Sequence, residues 1–270
     1  MLWSVRESGA GMGTHLRHGH CLDRRCLMGA GLALVAPQAL AAKGHYWGCA
    51  LNDTPQSRKL LARAHFGAAA GGGFDGVGYD SSGDPRFDRL LGLLLADLSL
   101  RDGVRPGFGF YDDGGSPNAY ALSETKLPGT SGTVLFGRAM LKKALADTDN
   151  GDMFVMGICA HEFGHIVQYS SGVRTRLTAS QQTGKLLELH ADFLAGHYIG
   201  LRNEKYSPAE LVALGRSWQG IGDTAYTDPT HHGTPEERLS AMEQGFRIAR
   251  DRPQFTMPAI CEVGARYLGV

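Results

Sequence analysis

Neither sign of charge is in excess in this sequence. Lysine and arginine together number 27, aspartate and glutamate also number 27, and the formal net charge at pH 7 is therefore zero. Proteins that attract nucleic acid or anionic membranes through a general electrostatic field carry a basic surplus. The balanced charge therefore predicts no nucleic-acid partner. The hydrophobic share of 43% is typical of a globular protein.

Long hydrophobic runs and internal repeats are also absent from the sequence. A helix that spans a bilayer needs roughly 20 apolar residues in a row. The apolar stretch from Leu90 to Leu100 is interrupted by Asp97 and bounded by Arg89 and Arg101. We therefore expect no stable membrane insertion of the mature chain. The lack of a fixed period argues against a repeat architecture.

The N-terminal segment predicts export. Arg24 and Arg25 precede a short apolar run, residues 29–36, and an Ala-x-Ala end. This layout is typical of an export signal and resembles a twin-arginine signal, whose cargo is usually exported folded. We therefore expect residues 1–42 to be an extension with the signal, and 43–270 to form a single periplasmic or secreted domain. An ordinary amphipathic extension is the alternative.

Cysteine is scarce, with five in the whole sequence. Three of them follow the predicted signal: Cys49, Cys159 and Cys261. Cys159 lies in an apolar stretch and is predicted to be a buried small hydrophobe. Cys49 and Cys261 either pair in an oxidising compartment or remain free thiols.

Hydrophobic periodicity predicts more helix than strand. Apolar residues recur every three or four positions in several segments, whereas short apolar or aromatic segments between turns are typical of strands. Strands are predicted at 108–111, 119–122 and 133–136. Helices are predicted at 54–70, 85–100, 138–146, 152–170, 179–202, 207–218 and from 235 onward. The predicted fold class is therefore α+β, mostly helical with a small antiparallel or mixed sheet.

The segment from Ala160 to Ile166 reads AHEFGHI and contains two histidines four residues apart. On a helix such residues share a face, so His161 and His165 can point at one ion, with Glu162 beside the same space. Zinc suits two neutral imidazoles, a third protein ligand and a water, whose proton a neighbouring carboxylate can take. The alternative is two buried, neutral histidines hydrogen-bonded to backbone.

A third metal ligand is expected on the next helix. The metzincin pattern is excluded because Gln168 and Ser171 stand where it needs glycine and histidine. Glu188 and Asp192 are four residues apart in a strongly apolar segment, and His190 between them points to the other side of the helix. Buried carboxylates need partners, so one is expected to bind the metal and the other to hydrogen-bond a ligand imidazole. The alternative is a solvated helix face.

These residues together resemble a known family. The HEFGHIVQ segment from His161 and the ELHADFLAG segment from Glu188 resemble the neutral zinc metallopeptidases of bacteria. They are similar, more distantly, to the gluzincin group that includes the CAAX prenyl proteases. The resemblance implies a zincin-like fold with an HExxH active-site helix, and zinc held by His161, His165 and Glu188. It also implies that Glu162 is the general base and that Asp192 supports a ligand histidine.

Two further segments extend the resemblance. Residues 116–122 and 132–136 resemble a strand pair of the gluzincin relatives, whose edge strand lines the cleft and can pair with an extended peptide. The HHGTPEER segment resembles the one that follows the metal motifs. From it, His232 is predicted to help stabilise an oxyanion, and Arg238 to orient a carboxylate or the substrate backbone. The alternatives are an ordinary surface hairpin and plain loop histidines.

The sequence therefore predicts a zinc-dependent peptidase that cleaves a peptide or protein substrate with metal-activated water. Two other functions stay open: a non-catalytic, zinc-stabilised binding module, and an amidase that acts on cell-wall peptides with the same site. Glu162 argues against the binding module, because a structural zinc needs a fourth ligand rather than a base.

Overall fold

A computed structural model describes most of the chain after residue 81 and two short strands before it. The described residues are 50–51, 65–69, 82–111, 113, 117–146, 151–179, 183–222, 224 and 231–270. The strands are β1 (Ala50–Leu51), β2 (His65–Ala69), β3 (Gly107–Tyr111), β4 (Ala119–Leu122) and β5 (Thr133–Gly137). The helices are α1 (Pro85–Asp102), α2 (Arg138–Ala146), α3 (Gly151–Ser171), α4 (Val173–Ala179), α5 (Lys185–Gly200), α6 (Pro208–Gln219), α7 (Pro235–Asp251) and α8 (Met257–Tyr267). The predicted export signal and Cys49 lie outside these residues.

The strands form one small mixed sheet in the order β1-β4-β5-β3-β2. At its centre β3 and β5 run parallel, with Phe108 opposite Val134, and β4 and β5 run antiparallel, with Tyr120 opposite Leu135. All residues of β3 and β5 are buried, so the middle of the sheet belongs to the hydrophobic core. The predicted α+β class, mostly helical with a small mixed sheet, is confirmed.

The helix predicted at 54–70 is wrong where the structure describes that range. Residues His65–Ala69 form β2 instead, which pairs antiparallel with β3. Glycine at position 67 weakens a helix, and main-chain pairing with a strand about 40 residues later outweighs the local apolar spacing. The rest of the predicted helix lies outside the described residues.

The resemblance implies an edge strand in the pair formed by residues 116–122 and 132–136, and the structure shows neither member at an edge: β4 lies between β1 and β5, and β5 lies between β4 and β3. Ala121 and Leu122 of β4 lie opposite Ala50 and Leu51 of β1, in parallel pairing. At these two residues the outer side of β4 is therefore occupied by the chain itself, and an extended peptide cannot pair there without displacing β1. The predicted pairing of the two segments themselves is present, because β4 and β5 are antiparallel neighbours.

Helix α3, predicted at 152–170, runs through the middle of the protein. Every residue from Met153 to Gln168 is buried, and the helix packs against α1, α2, α5, α6 and β4. A helix surrounded on all sides must be apolar around its whole circumference. The polar residues that it does carry in its buried part must therefore be satisfied within the protein.

The helix boundaries follow capping signals. Thr234 and Glu237 form a reciprocal capping box ahead of α7, with Pro235 at its first position, as the sequence predicts. The helix predicted at 179–202 begins later, at Lys185, after Gly184. The sequence reading missed the short α4 and the C-terminal α8.

Among the described helices, none combines the length and apolar character that crossing a membrane requires.

Where helices α5 and α7 cross, their backbones are in direct contact. A Cβ atom added at Gly196 of α5 would collide with the carbonyl oxygen of Met242 in α7. A Cβ atom added at Gly245 of α7 would likewise collide with the carbonyl oxygen of Phe193 in α5. Only glycine permits this approach from both sides, and the crossing sets where α5 presents its carboxylates.

The Gly196→Ala variant is therefore expected to be less stable than the wild type. The added methyl meets a helix backbone, which cannot move aside as a side-chain tip can, so we expect a loss of about 1–3 kcal/mol or more in urea denaturation. Gly215→Ala in α6 is the matched control, since its methyl meets only the tip of Leu239 at 3.3 Å. Equal stability of the two variants would show that the crossing is looser than described.

Candidate metal centre

Three side chains predicted as metal ligands converge between α3 and α5. The Nε2 atoms of His161 and His165 lie 3.1 Å apart. Glu188 Oε2 lies 3.2 Å from His161 Nε2, and Glu188 Oε1 lies 3.5 Å from His165 Nε2. All three residues are buried. Among the described residues they form the one group of at least three such side chains whose donor atoms come together.

The spacing of the donor atoms fits a small divalent ion. Zinc binds imidazole nitrogen and carboxylate oxygen at roughly 2.0–2.2 Å, so tetrahedral ligands lie about 3.3 Å apart. The observed separations of 3.1, 3.2 and 3.5 Å lie on both sides of that value. Lone pairs this close repel one another unless a cation or a proton lies between them. The group is therefore able to hold a metal ion.

Asp192 fixes the orientation of the His161 ring. Asp192 Oδ1 lies 2.8 Å from His161 Nδ1. A carboxylate only accepts, so Nδ1–H donates and, in the neutral ring, the Nε2 lone pair faces the other donors. Burial lowers the pKa of His161, but Asp192 and then Glu188 outweigh it and raise that pKa to about 9. The same negative surroundings favour a cation at this point.

The Asp192 carboxylate is fixed by two further residues. It accepts hydrogen bonds from Trp218 Nε1 at 3.0 Å and from Nε and Nη2 of Arg238, both at 2.8 Å. Burial raises the pKa of Asp192, but Arg238 and His161 hold it below its usual range, so the group is ionised. Arg238 also donates to the Ile221 carbonyl oxygen. Arg238 was predicted to orient either a carboxylate or the substrate backbone. The geometry favours the first role, with Asp192 as the carboxylate.

The predicted base, Glu162, lies on α3 next to His161 and is almost fully buried, with 1% of its surface exposed. Burial raises the pKa of the Tyr169 hydroxyl, Arg174 lowers it, and the charges of Glu162 and Glu188 both raise it further. The Tyr169 hydroxyl donates to the Ala121 carbonyl oxygen of β4.

His232 lies on the segment just before α7 and is half-buried. Burial raises the pKa of Glu188, but His165 and His161 hold it well below its usual range, with a smaller contribution from His232. The next residue, Gly233, has φ 98° and packs its backbone against Leu189, so this segment lies against α5. The oxyanion role of His232 stays a prediction.

His190 faces away from the donors, as the helical geometry predicts. Its Nε2 lies 3.1 Å from the carbonyl oxygen of Cys261 in α8. Burial lowers the pKa of His190 to about 4, so the ring is neutral at pH 7.

Cys261 is a buried free thiol, and Cys159 is fully buried, which confirms the prediction for that residue.

Sequence reasoning missed two residues that contact this group. Gln168 hydrogen-bonds the ring of His165, and its position one helical turn after that histidine is a spacing from which the contact can be predicted. Trp218 contacts Asp192 from α6, and no local pattern links two residues so distant in sequence.

Comparison of the chain with family models, with curated proteins and with solved structures gives no match. The chemistry of the group itself must therefore support any functional conclusion. Structural zinc sites normally have four protein ligands, whereas catalytic sites have three and leave one position for water or substrate. Here three donor side chains converge, one fewer than a structural zinc site normally has.

Proposed function

We propose that the protein is an exported, zinc-dependent metallopeptidase with a zincin-like active site. The observation that carries the proposal is the spacing of His161, His165 and Glu188, whose donor atoms lie 3.1–3.5 Å apart in a buried position. Two imidazoles and one carboxylate are a ligand set that hydrolytic zinc sites use. The resemblance of both motifs to the neutral zinc metallopeptidases gives the same chemistry.

The residues of the chain have separate roles in the proposed reaction. A bound zinc ion supplies Lewis acidity, which brings the pKa of water towards 7. Glu162 accepts a proton from the attacking water, whose oxygen bonds to the carbonyl carbon. Glu162 then donates that proton to the leaving amine as the carbon–nitrogen bond breaks. His232 stabilises the negative charge that develops on the carbonyl oxygen.

The buried network behind the ligands supports this assignment. Asp192 orients His161, and Arg238 forms an ion pair with Asp192. The Asp192 carboxylate can therefore stay ionised without contact with solvent. Such partners keep a ligand imidazole in one tautomer and one orientation. The site chemistry does not distinguish a peptidase from an amidase that acts on cell-wall peptides, because both use the same reaction. We propose a protein or peptide as the substrate because of the resemblance.

Metal removal tests the proposal directly. The purified full chain is expected to contain a stoichiometric amount of zinc and to cleave members of a peptide library. A strong chelator should abolish cleavage, and added zinc should restore it, because the proposed reaction needs the Lewis acid. Zinc content is measured by elemental analysis and cleavage by mass spectrometry.

Other outcomes of the same experiment separate the alternatives. Cleavage that persists in the metal-free protein overturns the proposal. Zinc binding without cleavage of any peptide points to a binding module, whereas cleavage confined to amide bonds of cell-wall peptides points to the amidase.

A further inference from the structure

A chain of buried hydrogen bonds runs from the ligand His165 to the C-terminal helix. Gln168 Oε1 lies 3.0 Å from His165 Nδ1, and Gln168 Nε2 donates to the carbonyl oxygen of Leu187 at 2.7 Å. The same Nε2 lies 3.3 Å from Nδ1 of His190, whose Nε2 lies 3.1 Å from the Cys261 carbonyl oxygen. The side chains of His165, Gln168 and His190 are fully buried, so water does not compete for these contacts.

The Leu187 carbonyl determines which way the Gln168 amide points. A carbonyl oxygen only accepts hydrogen bonds, so it requires the NH2 end of Gln168. The amide oxygen of Gln168 must then face His165, where it in turn requires a donor. His165 must therefore carry its proton on Nδ1, and its Nε2 lone pair faces Glu188 and His161.

The other end of the chain leads to the same assignment. The Cys261 carbonyl oxygen requires that His190 carry its proton on Nε2, which leaves Nδ1 as an acceptor. That acceptor takes the second hydrogen of the Gln168 amide. Rotating the amide by half a turn would bring its oxygen against the Leu187 carbonyl and oblige His190 to turn an acceptor towards Cys261. Two buried polar contacts would be lost, each at a cost of about 1–3 kcal/mol.

We propose that Gln168 is a positioning residue that keeps His165 in the tautomer able to bind metal, and that His190 and helix α8 anchor Gln168 in turn. This inference rests on the proposed function, since it assigns a purpose to the lone pair of His165. The two ligand histidines are then held by different means. His161 donates to an ionised carboxylate, whereas His165 donates to a neutral amide whose direction is set by two backbone carbonyls.

The tautomer can be measured on the whole protein before any metal is added. In full chain labelled with 15N histidine, two-bond 1H–15N correlation spectra distinguish a ring protonated on Nδ1 from one protonated on Nε2. For metal-free wild type we expect His165 to carry the proton on Nδ1. His165 protonated on Nε2 in the wild type would overturn the inference without any substitution.

Gln168→Met removes the hydrogen bonds and keeps a side chain of similar length. We expect His165 to populate the other tautomer, and zinc affinity to fall about 10–100-fold, as is typical when a partner of a ligand histidine is lost. Gln244→Met on α7, a half-buried helical glutamine, is the matched control and should change neither property. Unchanged tautomer and affinity in Gln168→Met would overturn the inference.

Gln168→Glu keeps the acceptor that faces His165 and removes the donor that faces Leu187. A carboxylate still accepts from His165 Nδ1 but cannot donate to Leu187, so we expect the tautomer to be kept although the protein is less stable. Zinc affinity that falls equally in the Glu and Met variants would mean that the acceptor facing His165 does not matter, and would overturn the positioning role. If the wild type binds zinc with His165 in the expected tautomer but cleaves no peptide, the proposed peptidase function is wrong, whereas the positioning role of Gln168 is kept.

Discussion

Replacing Glu162 by glutamine is expected to abolish peptide cleavage and to leave zinc binding intact. The amide has the shape of the carboxylate but cannot accept the proton of the attacking water, and general-base catalysis contributes about 10²–10⁴-fold. We therefore expect kcat to fall by at least that factor. Because Glu162 is not among the three converging donor atoms, zinc content and the zinc dissociation constant should match those of the wild type.

Two measurements decide this prediction together: kcat on a cleaved peptide, and zinc affinity by competition with a chelator of known strength. Glu243→Gln, an exposed glutamate of α7, is the matched control and should leave both values unchanged. Full activity in Glu162→Gln would exclude this residue as the base. Loss of zinc from Glu162→Gln would instead mean that Glu162 is itself a ligand.

The central helix and its motif could be predicted because two requirements coincide in the same residues. The segment around His161 and His165 is too apolar to lie at a surface, and its few polar groups cannot be buried without partners. The same reasoning applies to Glu188 and Asp192, which the structure buries completely and brings to the two histidines. Burial of charge in an apolar helix is thus a signal that is readable from sequence.

Features that depend on distant partners could not be predicted in the same way. β2 forms where the local spacing favours a helix, since its pairing with β3 is decided by residues far along the chain. The pairing of β1 with β4 is likewise invisible to a local pattern. Trp218 reaches Asp192 only because α6 packs on α3 and not because of anything in its own segment.

Contacts between side chains one helical turn apart could be predicted in part. Gln168 excludes the metzincin pattern and belongs to the HEFGHIVQ segment, and its distance of three residues from His165 makes a contact between the two expected on a helix. What the spacing does not give is the direction of the amide, which depends on the carbonyls of Leu187 and, through His190, of Cys261. The orientation of a ligand is therefore a property of the assembled fold.

Replacing Glu188 by glutamine should have the opposite pattern to the Glu162 variant, with zinc binding lost first and activity lost as a consequence. The amide removes the one negative charge among the three donors and can turn N–H groups towards the Nε2 atoms that ought to bind metal. We expect zinc affinity to fall by more than the roughly 100-fold that loss of an outer partner causes. Excess zinc should then restore part of the cleavage.

That partial recovery is what distinguishes the two glutamates. Adding zinc cannot replace a missing base, so Glu162→Gln should stay inactive at any zinc concentration, whereas Glu188→Gln should respond to it. Circular dichroism of both metal-free variants shows whether the fold is kept, which matters because Glu188 is fully buried. Wild-type zinc affinity in a folded Glu188→Gln variant would place the third ligand elsewhere, and the metal centre described between α3 and α5 would have to be abandoned.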